Sequence, residues 1–431
     1  MELTDPIKSK QLQSKQIKSR QIMDQIVQVP GSKSISHRMM ICAALSKGSS
    51  KIRNLLESQD LSLTATALCA MGAGIKELES GLIAVQGFDG RPTPHAPPIF
   101  LGNSGTSMRL LAGIAALGQT RYTLTGDKRM CERPMIELLD ALNCLQVEAK
   151  SIHPGGTPPV TIRGLGRRGG ITTIDCSKSS QYLSSLLMMG ALMENGLTIF
   201  LPGLPVSVPY IDLTIDVMNQ FNVMVNRISD RKYQVPGNQI YAPGEYVVEP
   251  DLSNAGYFWA AGAVTGQEIG VDNIQENSLQ GDLKQIHILE QMGCSLNIQK
   301  NSVAVKGALL KGIDVDMSDT PDAVPAIAVV AAFAKGTTRI SNIGHLRVKE
   351  CDRIAAVSSQ LIKMGIGVTQ GDDWLEITGG RPKGAFIETF NDHRIAMAFS
   401  VAGLVVEGME IENPVCVEKS FPGFWNIFET L

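Results

Sequence analysis

Apolar and polar positions along the chain form a pattern that repeats about every 70 residues. Six times an apolar, Ala-rich run of helical character ends at a glycine, and a short strand-like run follows. These junctions read AALSKGSSKI, IAALGQTRYTL, ALMENGLTIF, GAVTGQEIGV, FAKGTTRI and LVVEGMEI. Their glycines are Gly48, Gly118, Gly196, Gly266, Gly336 and Gly408, separated by 70, 78, 70, 70 and 72 residues. Glycine just past the last turn suits a left-handed C-terminal cap.

A second helical run follows in each unit. It ends at Met71-Gly72, Leu142-Asn143, Phe221-Asn222, Met292-Gly293 and Met364-Gly365, and strand-like runs such as VTIRG, YVVEP, VAVKG and LEITG come next. The unit is therefore helix, strand, helix, then strands. Five units are complete, and the sixth stops at Leu431, soon after its second helix begins near Lys419. The run QIVQV (Gln25 to Val29) is expected to supply the strand that the sixth unit lacks, which brings both termini into one domain. The Gln- and Lys-rich segment before it reads as an extra strand or a tail.

Units of this size are too long for a solenoid. Two α/β domains of three units each fit 431 residues better. The expected division is residues 1–31 with 250–431 as one domain and 32–249 as an inserted one. The chain is expected to cross between them near Gly31 and Glu249.

Composition narrows the function. Lys and Arg number 39 against 42 Asp and Glu, which excludes a nucleic-acid binder working by bulk charge. Aromatic residues are only 5%, too few to interleave for base stacking. The eight cysteines form no CxxC pair, and no HExxH spacing occurs, so reduced thiols and no metal site are expected. The N-terminus has no apolar signal core and no run is long enough to span a bilayer, so a cytoplasmic protein without a membrane partner is expected. GSKS at Gly31 to Ser34 lacks the first glycine of a P-loop, and no GxGxxG opens a helix, so neither ATP nor NAD is expected as a cofactor.

The polar chemistry sits at the helix starts. The first helices open with PGSKSISHR, GNSGTSMR, SKSSQY, DLSNAGY, TPDAVP and NDHRIAM. The later helices carry ERP, VPYID, RVKECDR and EKSFPG. Helix N-termini offer unpaired N–H groups and partial positive charge, which makes them anion sites. Here they also bear Lys33, Arg38, Arg109, Arg129, Lys349, Arg353, Arg394 and Lys419. Cations at helix starts oppose the macrodipole, so their repetition points to bound anions that offset the penalty. Asp322 and Glu350 stand among these cations, as charge compensation or as a proton-transfer pair. His393 in NDHR reads as an anion ligand or a helix cap, with the cap preferred.

Together PGSKSISHR, LGNSGTSMRLL, LTGDKRMCERP, SKSSQYLSSLL, SVPYID, PDAVPAIA, LRVKECDRI, NDHRIAMA and EKSFPGFW resemble the 5-enolpyruvylshikimate-3-phosphate synthase family. The resemblance runs from about Pro30 to Trp425. It implies two domains, each built from three βαβαββ units as an inside-out α/β barrel, with the site in the cleft between them. It implies transfer of the enolpyruvyl group of phosphoenolpyruvate to the 5-hydroxyl of shikimate 3-phosphate, by addition and elimination, with no cofactor. A monomer and inhibition by glyphosate are further implications.

Residue roles follow from the same resemblance. Lys33, Ser34 and Arg38 contact shikimate 3-phosphate. Ser179, Ser180 and Ser207 hold its phosphate beside Gln181 and Tyr210, with His345 on the same side. Asp322 and Lys349 hold its hydroxyls. Lys33, Gly105, Arg129, Gln181 and Lys419 meet the phosphate of phosphoenolpyruvate, Arg353 and Arg394 clamp its carboxylate, and Asn103 and Arg109 frame the GNSGT turn. Asp322 is the expected base, and Glu350 the expected acid with Lys33 as helper or rival. The chain departs from the common pattern at His345, expected to add pH dependence, at Val208 in place of Lys, and at Leu110 in place of Pro. Gly105 leaves room that admits glyphosate. Two related families share the fold: the UDP-N-acetylglucosamine enolpyruvyl transferases, whose reactive loop Cys lacks its surroundings here, and the RNA 3′-phosphate cyclases, whose nucleotide site is missing.

Overall fold

The structure, a computed structural model, describes residues 14–431. It contains six small sheets, five of four strands and one of three. The first helix of each unit spans Lys33–Leu45, Gly105–Ala115, Gln181–Gly190, Leu252–Thr265, Val324–Ala331 and His393–Gly403 in turn. These helices are buried on nearly every side; Ile35 through Leu45 form an unbroken buried run. That explains their weak polar periodicity, since a helix apolar all round belongs inside a core. The sheets and the second helices wrap them. The second helices, such as Gln59–Ala70 and Arg353–Lys363, keep one exposed face.

Each complete sheet has one wiring. In the fifth unit Asp314–Asp316 pairs parallel with Thr337–Ser341, which pairs antiparallel with Leu375–Thr378, itself in a hairpin with Gly367–Gln370. The parallel pair needs the buried helix as its crossover, and the antiparallel hairpin closes the unit. Two of the four-stranded sheets are completed by distant strands. Glu245–Val247 joins Ser49–Arg53 in the first unit, and Gln25–Val27 joins Glu268–Asp272 in the fourth.

The N-terminal strand expectation needs correction here. The sixth unit is completed not by Gln25–Val27 but by Ser14–Ile17, which pairs antiparallel with Met409–Glu412. Lys15 also reaches Glu429, at 2.5 Å, beside the C-terminus. The segment before Gln25 is thus partly a strand; residues 1–13 lie outside the described part.

Two turn markers also differ. Gly48, Gly196, Gly266, Gly336 and Gly408 take positive φ, but Gly118 does not, and only Gly266 sits directly at a helix C-cap. In the second unit the helix runs on to Cys144, so Leu142-Asn143 lies inside it, and Gln146 supplies the left-handed residue at φ 60°. Leu110 continues the helix Gly105–Ala115 and is fully buried.

Buried apolar residues separate into two clusters. One runs from Ile35 to Val248, and the other joins Ile17 to Val29 with Leu252 to Leu431. Two strand-like connections pass between them side by side: Ser32 N–H donates to Glu249 O and Asp251 N–H to Pro30 O. Among the described residues no helix is long and apolar enough to cross a membrane.

Candidate active site

The helix starts from both clusters face one cleft. Lys33 and Ser34 open one helix, Gly105 and Arg109 lie on the next, and Ser179, Ser180 and Gln181 stand at the start of the third. Ser207 and Tyr210 flank the start of Pro209–Gln220. From the other side come Asp322 in the turn Pro321–Ala323, Lys349 and Glu350, then Arg353 and Arg394 near the starts of their helices. Seven cationic side chains and three carboxylates line the cleft, an excess of four positive charges. Such a site favours ligands carrying several negative charges.

The carboxylates are tied to the arginines. Asp322 accepts from Arg353 at 2.9 Å, from Arg394 at 2.6 Å and from the Tyr210 hydroxyl at 3.2 Å. Arg353 also binds Glu350 at 2.8 Å and Asp392 at 2.7 Å. Burial would raise the Asp322 carboxyl, but Arg394 and Arg353, with Lys349 and Lys33, hold it well below the ordinary range. Glu350 is treated the same way: burial opposes ionisation, and Arg353, Lys419 and Arg133 overcome it. Burial, opposed by Asp322 and aided by Arg353, pulls the Lys349 ammonium down to about 8.

Other expected residues support the cleft without lining it. Arg38 is buried behind the wall, donating to Thr214 Oγ1 at 2.7 Å, Ser34 O at 2.9 Å and Tyr210 O at 3.1 Å. Arg129 grips the backbone across the cleft, donating to Lys349 O at 3.0 Å and Glu350 O at 3.2 Å. Lys419 donates to Asn103 O at 2.6 Å and lies 3.6 Å from Asp60. His345 is buried outside the cavity, and its Nε2 has no hydrogen-bond partner in the structure. Burial, then Lys349, pushes its imidazole down to about 3 against the pull of Asp322, so it stays neutral near pH 7 and adds no pH dependence there. His393 is not the cap: Asp392 is, through the N–H of Arg394 at 2.9 Å.

Several lining residues were not singled out by the sequence reading. Asp60 sits between Lys33 and Lys419, 3.6 Å from each. Its signal was available, because it occupies the second-helix start of the first unit, the position marked in other units by ERP and RVKECDR. Arg133, within ERP, donates to Asn103 O at 3.2 Å and Oδ1 at 3.1 Å. A Cβ on Gly105 would lie 2.4 Å from its Nη2, so the room beside Gly105 is taken by a guanidinium. Lys178, within SKSS, pairs with Glu137 at 2.7 Å. Thr106 accepts from Gln181 at 3.0 Å, and Gln181 accepts from Arg109 at 2.9 Å, which orders these three as a set. Val206, the apolar neighbour of Ser207, carries no polar signal.

Some helix N-termini at the cleft are already satisfied by the protein. Asp251 accepts the Lys33 N–H at 2.8 Å as well as the Asn254 N–H of its own helix at 2.9 Å. Ser207 adopts φ 55°, and its N–H donates to Ser318 O across the cleft at 3.2 Å. A left-handed conformation at serine is held by its surroundings rather than by preference.

The family model described as EPSP synthase (3-phosphoshikimate 1-carboxyvinyltransferase) matches residues 17–428. The chain belongs to the EPSP synthase family. The 3-phosphoshikimate 1-carboxyvinyltransferase of Shewanella amazonensis is 41% identical over 410 residues, covering 94% of this chain and 96% of that one. That of Syntrophobacter fumaroxidans is 41% identical over 409 residues, with the same coverage. The solved EPSP synthase of Acinetobacter baumannii superposes with a TM-score of 0.82 at 29% identity, covering 97% of each chain. The fold is that of this family: α/β, with βαβαββ units repeated six times.

Proposed function

We propose that the cleft carries out the family's reaction on this chain: transfer of the enolpyruvyl group of phosphoenolpyruvate to the 5-hydroxyl of shikimate 3-phosphate, with release of phosphate. The observation that carries this is the seven-cation cleft in which both Arg353 and Arg394 reach Asp322. Two anionic substrates repel each other, and only a concentrated cationic site holds them in contact.

Asp322 takes the proton of the attacking hydroxyl as the C–O bond forms, and the Arg pair passes to the carboxylate of phosphoenolpyruvate. Freed of its arginines, Asp322 becomes a better base. Lys33, Arg129, Gln181, Lys419 and the Gly105 turn face the departing phosphate of phosphoenolpyruvate, with Asn103 and Arg109 behind them. Arg133 adds a cation there that the resemblance did not supply. Ser179, Ser180 and Ser207 receive the phosphate of shikimate 3-phosphate, and Lys349 steadies its hydroxyls. Ser34 and Tyr210 are fixed for that acceptor by Arg38.

Against the effect of burial, Arg353, Lys419 and Arg133 hold the Glu350 carboxyl well below its ordinary range. It delivers a proton to the methylene carbon only after incoming anions neutralise the surrounding cations and raise its pKa. Exchange of the methylene protons of phosphoenolpyruvate with deuterated water tests this. The exchange is expected to disappear in Glu350→Gln, and persistence there would transfer the role to Lys33.

The two bodies that close on the substrates are residues 32–249 and residues 1–31 with 250–431. Contacts such as Arg129 to Lys349 O and Lys419 to Asn103 O support this division as latches across the cleft. A monomer working in the cytoplasm completes the proposal.

A further inference from the structure

One buried carboxyl beside the cleft has no part in the scheme above. Asp282 lies in the turn Gly281–Leu283 and is 4% exposed. Its Oδ1 has no hydrogen-bond partner in the structure. Its Oδ2 accepts from Ser253 Oγ and stands 3.3 Å from the Tyr210 hydroxyl. The same hydroxyl stands 3.2 Å from Oδ2 of Asp322. One phenolic hydrogen therefore faces two carboxyl groups and can satisfy only one at a time.

The charged groups facing Asp282 are Asp322, Arg394 and Asp251. Asp251 is engaged by the N–H groups of Lys33 and Asn254, and Arg394 is directed to Asp322. Burial and the neighbouring Asp322 push the Asp282 carboxyl up to about 7, against the pull of Arg394. Burial and the two carboxylates keep Tyr210 a phenol well past its ordinary range.

We propose that Asp282 is a positioning residue: by holding or releasing a proton it decides whether Tyr210 gives its hydroxyl hydrogen to Asp322, and so sets how well Asp322 accepts the proton of the acceptor hydroxyl. The inference rests on the role of Asp322 given under the proposed function. With Asp282 protonated, Tyr210 has no competing anion and donates to Asp322 Oδ2, which keeps this donor after Arg394 has passed to phosphoenolpyruvate. With Asp282 ionised, Tyr210 is drawn toward it. Asp322 Oδ2 loses a donor and gains a nearby negative charge, and both changes raise its basicity. The proton released by Asp282 passes to bulk water, and no substrate bond changes in the step. A hydrogen bond to a charged group is strong enough for the two states to differ about tenfold in rate.

The test is kcat for phosphate release across roughly pH 6 to 8, for the wild type, Asp282→Asn, Tyr210→Phe and the double variant. The Asn amide imitates the protonated acid. The wild-type kcat is expected to rise with pH through about 7. Asp282→Asn is expected to coincide with the wild type at the acid end and to stay there, about tenfold below the wild-type alkaline level. In the Tyr210→Phe background the Asn substitution is expected to change nothing. A uniform loss at every pH, a retained wild-type rise, or an effect undiminished by Tyr210→Phe overturns the inference. Infrared difference spectra give a second readout: a protonated-carboxyl band lost across neutral pH in the wild type and missing in Asp282→Asn. Absence of that band from the wild type overturns the inference even if the variant folds poorly. A wild type inactive with shikimate 3-phosphate overturns the parent reading itself, whereas an active enzyme without the Asp282-dependent limb overturns this inference alone.

Discussion

Removing Asp322 should destabilise the protein, and added anions should restore it. In Asp322→Ala, Arg353 keeps Asp392 and Glu350, but Arg394 keeps only the Tyr257 hydroxyl at 3.3 Å. Arg394 is 4% exposed, so its charge is left buried and nearly alone. Breaking a buried pair in this way costs about 3–5 kcal/mol, and the low end applies because Asp322 is partly open to the cleft. Phosphate or phosphoenolpyruvate at about a hundred times its dissociation constant would return roughly 2.7 kcal/mol. Urea unfolding of wild type and variant, with and without phosphate, measures both quantities. The pH dependence has a fixed sign. The folded pKa of Asp322 is lowered, so its contribution is complete above an unfolded value of about 4 and is lost as pH falls through the folded one. Equal stability of variant and wild type near neutral pH, or a loss that phosphate leaves untouched, would refute the reasoning.

Lys349, with a pKa pulled down to about 8, should make stability rise with pH between about 8 and its unfolded value near 10.4, because the unfolded chain binds more protons there. Lys349→Met should remove that rise in pH-dependent unfolding. Gly105→Ala should push the Arg133 guanidinium aside, since the added Cβ meets it at 2.4 Å. The expected result is a raised KM for phosphoenolpyruvate and weaker glyphosate inhibition, with thermal stability nearly unchanged because the displaced atoms end a flexible side chain. Arg129→Ala should remove the hydrogen bonds to Lys349 O and Glu350 O; a raised KM for both substrates, measured by steady-state kinetics, is expected from the weakened closure.

The sixfold architecture was legible because each unit repeats a buried apolar helix and a turn residue, and the first five add a hairpin; each leaves a mark in sequence. Gly72, Asn222, Gly293 and Gly365, where the second helical runs were read as ending, all take positive φ. The second unit misled because Gln146 performs the same turn without the usual Gly or Asn. The origin of the sixth unit's last strand was not legible. Ser14–Ile17 and Gln25–Val27 are both short, and pairing with Met409–Glu412 rather than Glu268–Asp272 is decided by tertiary contacts. At the cleft, residues carrying charge on recognisable motifs were found. Arg133 stood inside a quoted motif and Asp60 at an equivalent helix start, but only the fold shows that they face the cleft. His345 shows the converse: its chemistry suggested a titrating group, and its burial next to Lys349 removes that behaviour near neutral pH.

Phosphate release from phosphoenolpyruvate, measured with shikimate 3-phosphate and separately with UDP-N-acetylglucosamine, tests the central claim most directly. The cleft described here predicts release with shikimate 3-phosphate alone, lost by about a hundredfold or more in Asp322→Ala. Release with the nucleotide sugar alone, or full activity without the Asp322 carboxylate, would contradict it.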